Sequence, residues 1–240
     1  KNVAVGTANT DAVNVGQLNT ALTKAAQDDV HTFLQFGATG ASSSGNAVAG
    51  GAGAVAVGRG ANAAKYSVAV GGNTKATGDS STAIGIEASA VGAKASALGW
   101  KANAAGERAT AVGCGSTAEG AASVALGGGI SETPEGVVTA TGALSSGENS
   151  VAIGVRSKAT AKDAVALGSD SVAGSVNSFS IGNDTLKRTI INVAAGKAAT
   201  DAVNVSQLSP LVAGLGGGAA IDPNTGAVTG PTYKVDGKEQ

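Results

Sequence analysis

The sequence predicts a mainly β fold, a parallel β-roll built from 14-residue coils that each hold two short strands. Three observations predict it. A phrase of small and branched aliphatic residues ends in glycine at Gly58, Gly71, Gly85, Gly99, Gly113, Gly127, Gly154, Gly168 and Gly182, at intervals of 13, 14, 14, 14, 14, 27, 14 and 14 residues. A period this short describes stacked units and a quasi-one-dimensional fold. The other half of each unit has its own signature: counting from Gly85, Gly99 and Gly113, position +3 is Ala88, Ala102 and Ser116, +5 is Ala90, Ala104 and Ala118, and +7 is Gly92, Gly106 and Gly120. Finally, glycine is 38 of 240 residues, aromatics are only 2% and methionine is absent, which does not suit a conventional globular core.

Each phrase reads as a strand. The residue before the terminal glycine (−1) is Val, Ile or Leu, and −2 is Ala except at Ser180. Side chains alternate along a strand, so −1 and −3 share one face and −2 and −4 the other. A roll with such short strands is thin and gains little apolar burial against its backbone entropy. Self-association is therefore expected. We expect the branched −1 and −3 residues inside the roll and the Ala face against neighbouring subunits. Polar residues such as Lys75, Glu87, Lys94, Lys101, Glu107, Arg108 and Lys158 are expected in solvent-facing turns.

The elements follow in order. Asn2-Val3-Ala4-Val5-Gly6 leads to Thr10-Asp11-Ala12-Val13-Asn14-Val15-Gly16-Gln17-Leu18, a phrase that fills residues 1–18 and returns 190 residues later. Thr10 or Asp11 is the expected N-cap of a helix. Val15, Leu18, Leu22 and Ala25, continuing to Ala26, Val30 and Phe33, give a short coiled-coil helix over 19–35. Residues 36–53, rich in Gly, Ala and Ser, read as a connector or a degenerate first coil. The roll follows over 54–187, with the long interval read as a protruding loop near 128–139, resuming at Ala143, Ser145 and Gly147. Residues 188–208 carry the second copy of the phrase, Asn192-Val193-Ala194-Ala195-Gly196 to Thr200-Asp201-Ala202-Val203-Asn204-Val205-Ser206-Gln207-Leu208, with Thr200 or Asp201 as the expected cap and Pro210 as the expected stop. Residues 209–240 read as the start of a further β-rich module, with a turn at Asp222-Pro223-Asn224-Thr225-Gly226. Opening within a motif at Lys1-Asn2-Val3, the sequence reads as an internal piece of something longer.

Several chemistries find no support. Charged residues are 14% and the net charge is −1, so there is no basic face for nucleic acid. No apolar run reaches the roughly 18 residues of a membrane span, so no membrane contact is expected. His31 is the only histidine, beside Asp28 and Asp29, too little for a metal site. Cys114 is the only cysteine and has no adjoining base to activate it. No cofactor motif is present: Gly127-Gly128-Gly129 lacks the Lys and Ser/Thr of a phosphate loop. Trp100, in a turn beside Lys101, is the candidate ligand-binding residue, with packing across a subunit boundary as the alternative.

The tandem SVAIG-type units joined to a TDAVNVxQL phrase resemble the head and neck of trimeric autotransporter adhesins of the YadA-like type, over residues 1–25 and 54–208. The resemblance implies a left-handed roll, a homotrimer and no enzymatic activity. It also implies a structural neck role for Asp11, Val13, Asn14, Val15, Gln17 and Leu18 and for Asp201, Val203, Asn204, Val205, Gln207 and Leu208. The implied function is multivalent attachment to a host cell surface or extracellular matrix protein, from the bacterial cell surface as the exposed passenger of an outer-membrane-anchored protein. The alternative is a structural spacer of a surface fibre with no ligand of its own. A hexapeptide-repeat acyltransferase would need a different period and a histidine in the roll, and an ice-binding solenoid would need a regular threonine ladder.

Overall fold

The structure, a computed structural model, describes residues 3–8, 12–23, 34–36, 46–129, 142–235 and 238–239. Two ladders run side by side through residues 34–180. The long ladder contains β1 (Leu34–Phe36), β3 (Val55–Val57), β5 (Val68–Val70), β7 (Thr82–Ile84), β9 (Ser96–Leu98), β11 (Thr110–Val112), β13 (Val124–Leu126), β15 (Val151–Ile153), β17 (Val165–Leu167) and β19 (Phe179–Ser180). The short ladder stacks the intervening two-residue strands: β2 (Val48–Ala49), β4 (Asn62–Ala63), β6 (Lys75–Ala76), β8 (Ser89–Ala90), β10 (Asn103–Ala104), β12 (Thr117–Ala118), β14 (Leu144–Ser145), β16 (Lys158–Ala159) and β18 (Val172–Ala173). Except where β1 joins, every pairing in the roll is parallel, with equivalent residues in register: Ala97, Ala111 and Ala125 stand on one another. This is the predicted parallel roll of two-strand coils.

The orientation of the strands is the reverse of the expectation. The −2 alanines Ala56, Ala69, Ala83, Ala97, Ala111, Ala125, Ala152 and Ala166 are all fully buried inside the chain's own roll. The branched −1 and −3 residues point outward, leaving Ile84, Leu98, Leu126 and Leu167 about 40% exposed. Alternation distinguishes two faces but not which is inside; coil size decides. Strands this short enclose room for little beyond a Cβ, and the largest buried side chain is Thr74. The interior is a column of Ala, Ser and Thr.

Buried hydroxyls in such a core need partners. Ser67 Oγ donates to the Gly78 carbonyl (2.7 Å), Thr74 Oγ1 to that of Gly85 (2.6 Å) and Ser157 Oγ to that of Gly154 (2.7 Å). Ser145 and Ser150 meet Oγ to Oγ at 2.6 Å, and Ser150 also reaches the Gly147 carbonyl (2.7 Å). Among the described residues only Ser123 Oγ is buried without a partner.

The turns explain the glycines. At Gly85 φ is +131°, and a Cβ there would lie 2.5 Å from the Gly99 carbonyl oxygen of the next coil. At Gly92 the corresponding approach is 2.0 Å, to the Gly106 oxygen. The other turn position tolerates side chains at a cost: Tyr66, Asn73, Ser80, Glu87, Lys94, Lys101 and Arg108, one every seven residues, all adopt φ of 54–60°. That left-handed conformation costs a non-glycine residue on the order of 1 kcal/mol. It turns their side chains out along the edges of the stack. Lys75 and Lys158, expected in turns, instead open the short strands β6 and β16 with exposed side chains.

The long interval leaves the stack undisturbed. Leu126 pairs with Ile153 and Thr117 with Leu144 across it. Ala143 N–H donates to the Gly127 carbonyl (3.0 Å), as Ser116 does to Gly113 (3.2 Å) in the coil before. The expected loop at 128–139 lies outside the described residues from position 130 onward.

The first helix, α1, spans 15–23, and residues 24–33, with Val30, His31 and Phe33, lie outside the described residues. It does not extend to 35, because Leu34–Phe36 is a strand. Residues 188–240 form a separate compact unit. Its helix α2 (Val205–Gly214) continues through Pro210 rather than stopping there, and buries none of its residues. Two hairpins follow, β20 (Ala220–Ile221) with β21 (Val228–Thr229) and β22 (Lys234–Val235) with β23 (Lys238–Glu239). The first closes at Asp222, whose carboxylate accepts the Asn224 and Thr225 N–H groups and is held below its ordinary range by those bonds, that from Thr225 first.

Candidate functional site

The twice-used phrase has the same geometry in both copies. In the first, the Gln17 side-chain oxygen accepts the Gly6 N–H (3.0 Å) while its amide donates to the Gly6 carbonyl (2.9 Å), so one glutamine pairs with a backbone unit as a neighbouring strand would. The Asn14 oxygen accepts the Gln17 N–H (2.8 Å), and its amide donates to the Val3 carbonyl (3.3 Å). In the second copy Gln207 pairs with Gly196 (2.8 and 2.9 Å), and Asn204 takes the Gln207 N–H (3.2 Å) and reaches the Val193 carbonyl (2.9 Å). Asn204 and Gln207 thus form a capping box, and the N-cap is Asn204 rather than Thr200 or Asp201. Asn14 holds the matching place before α1 and is the cap there; Thr10 and Asp11, the expected caps, both lie outside the described residues.

Asp201 serves the preceding turn. Its carboxylate accepts the Lys197 and Ala198 N–H groups at 2.9 Å each, and those bonds, that from Ala198 first, lower its pKa from the ordinary 3.8. The apolar members of the phrase are bare. Val13, Val15 and Leu18 in the first copy, and Val203, Val205 and Leu208 in the second, are all exposed. An open groove of about 530 Å³ lies beside Val5, Asn14 and Gln17, and one of about 450 Å³ is lined by Val193, Val203, Asn204 and Val205. Sequence reasoning found these residues but missed Gly6 and Gly196 as the partners of the glutamines. The N-x-x-Q spacing was the signal for the cap.

The roll presents two unlike surfaces. Outward residues of the long ladder are Val55 and Val57, Val68 and Val70, then Thr82 and Ile84, Ser96 and Leu98, Thr110 and Val112, Val124 and Leu126, and so on through Leu167. The short ladder shows Asn62, Lys75, Ser89, Asn103, Thr117 and Lys158, together with the apolar Val48, Leu144 and Val172. One face is branched aliphatic and the other largely polar. Along the edges, charges pair between adjacent coils: Arg156 grips Asp170 through two bonds (2.6 and 2.7 Å), and Lys162 meets Glu148 (3.0 Å). Hydrogen bonding to Asp170 is the first cause of the raised pKa of Arg156. Exposed pairs of this kind contribute little individually.

Trp100 is half-buried in its turn, with the Lys101 ammonium 4.4 Å from its ring centre and Glu87 3.8 Å from that ammonium. It stands at the same turn position as Ile86 and Cys114 of the flanking coils, one residue after the phrase-ending glycine. Cys114 is half-buried and free. Among the described residues no group of His, Cys, Asp and Glu could hold a metal, and no helix is long and apolar enough to cross a membrane.

Comparison with known proteins gives these surfaces a family. A model for the coiled stalk of trimeric autotransporter adhesin matches residues 1–33 and 189–228. A model for the YadA head domain repeat matches 63–88, 90–116, 104–129, 145–171 and 159–185. No curated protein matches. Among solved structures, the collagen-binding domain of the Yersinia adhesin YadA is 32% identical, with a TM-score of 0.62, over 76% of this chain and 98% of that one. The C-terminal YadA-like domain of a Burkholderia pseudomallei protein is 28% identical over 95% of this chain and 97% of that one, but at a TM-score of 0.19 the superposition carries no argument. Roll repeats between two stalk phrases, matched piece by piece, make this chain a head-bearing segment of the YadA-like trimeric autotransporter adhesins, the family to which it belongs.

Proposed function

We propose that this adhesin head attaches to an extracellular matrix protein as a homotrimer, displayed on the bacterial surface by a longer anchored protein. The observation that carries the reading is the division of the roll into one aliphatic and one largely polar face. An aliphatic strip running through successive coils is a poor surface to leave in water. Three copies packing through it would cover the strip, and the exposed valines and leucines beside Asn14 and Asn204 would be covered in the same assembly. The polar short-ladder face and the paired charges on the turns would then remain outside. Repeated along each roll and three times around the axis, they offer many similar contacts, so that weak binding sums to avidity.

Collagen-binding by the Yersinia relative makes collagen the first ligand to try. The test is binding of the purified chain to immobilised collagen and fibronectin, beside a variant carrying Lys75→Glu, Asn103→Glu and Lys158→Glu on the polar face. The proposal expects binding by the intact chain and a loss of about tenfold or more in the variant, with its assembly mass unchanged. Equal binding by both would place the contact elsewhere. No binding to any matrix protein would favour the spacer reading.

A further inference from the structure

Only one strand of the roll departs from the repeat. β1 is antiparallel to β3, pairing Leu34 with Val57, Gln35 with Ala56 and Phe36 with Val55, whereas β3 and every later strand of the long ladder pair in parallel. Its three residues match the three of β3 position for position. Both family models omit residues 34–62, which hold β1 and the first coils, so this pairing belongs to neither the stalk nor the head repeat.

A parallel stack ends in an open edge. Uncovered, β3 would present the unpaired N–H and C=O groups of a β-branched strand, flat and uncharged, which is a template for strand addition. Nothing in β3 blunts it, since Val55-Ala56-Val57 holds no charge, proline or bulge. The coil before it supplies a short-ladder strand, β2, while among the described residues the long ladder has only β1 beyond β3. We propose that Leu34–Phe36 is an edge seal, occupying within its own chain a strand-addition site whose partner otherwise is a second copy of this chain, joined through β3. The antiparallel direction sets β1 apart from the coil-to-coil repeat, since every other pairing of the long ladder is parallel.

The test uses the full chain with Gln35→Pro, which removes the β1 N–H that faces Ala56 of β3 and disfavours the strand. Mass by sedimentation and residue-level hydrogen exchange are compared with the unmodified chain. The seal predicts concentration-dependent species of at least twice the unmodified mass, with the Ala56 amide of the unassociated fraction exchanging about tenfold faster or more. Protection from β5 to β17 should be unchanged. An unchanged mass at every concentration overturns the proposal. Loss of protection throughout β5 to β17 overturns it too, since β1 would then be part of the roll's folding unit rather than its seal.

Discussion

The roll and the twice-used neck phrase solve the same problem in opposite ways. The roll makes its own interior: alanines with no exposed surface stand in register through successive coils, and buried hydroxyls bond to carbonyls of their own stack. The necks make none. Helix α2 buries no residue, and what holds each neck is a pair of amide side chains, Asn14 with Gln17 or Asn204 with Gln207, gripping backbone eleven residues upstream. A chain that repeats can satisfy itself by stacking, whereas the twice-used phrase leaves its valines and leucines exposed.

That contrast breaks most sharply in the alanine column. Ala111→Leu inserts a branched side chain where nothing larger than threonine is buried, at a cost of about 1–3 kcal/mol or more from overpacking. Calorimetry should show the roll's melting temperature falling by several degrees; an unchanged transition would mean the interior has room that the alanines do not reveal. Gln207→Ala should act only locally. Losing its half of the capping box and its bridge to Gly196 costs about 1 kcal/mol or more, visible as faster amide exchange at Gly196 and in the first turn of α2 with the roll unaffected.

Both folds of this contrast were visible in the sequence to different depths. The period, the strand phrase and the register were plain, because each coil repeats the same local choice and the 27-residue interval resumes in phase at Ala143. The faces were not, since alternation is symmetric and only the size of the closed coil sends Ala111 in and Leu98 out. Asn204 was legible as a cap from its spacing to Gln207, but Thr200 and Asp201 compete as polar residues nearby, and Asp201 proves to cap a turn. β1 had no local signal: three residues acquire a strand identity only from Val55–Val57, some twenty positions away. Pro210 misled because a proline inside a helix removes one hydrogen bond without necessarily ending it, and α2 runs on from Pro210 to Gly214.

Smaller effects sharpen the comparison inside the roll. Ser150→Ala should destabilise by about 1 kcal/mol through the bonds to Ser145 and Gly147, whereas Ser123→Ala should be neutral or stabilising, because its hydroxyl is buried without a partner. Equal destabilisation by the two would show that Ser123 is satisfied in solution. The smallest effect is on pH. The carboxylate of Asp201 titrates below its ordinary 3.8, so its contribution is complete above that value and disappears as pH falls through the lower, folded value. Asp201→Asn should remove this acid sensitivity of the second neck, read from the Lys197 and Ala198 amide resonances; an identical acid profile in the variant would assign it to another group.

The central claim is that small residues close the roll and branched ones close the assembly. Sedimentation mass of the intact chain beside Leu98→Lys, Leu126→Lys tests it most directly, with circular dichroism to follow the roll. The account predicts three times the 22.5 kDa chain mass for the intact protein and 22.5 kDa, or a steeply concentration-dependent mixture, for the variant, with the β signal retained in both. A variant that keeps the full trimer mass, or one that loses its β signal together with its mass, would contradict it.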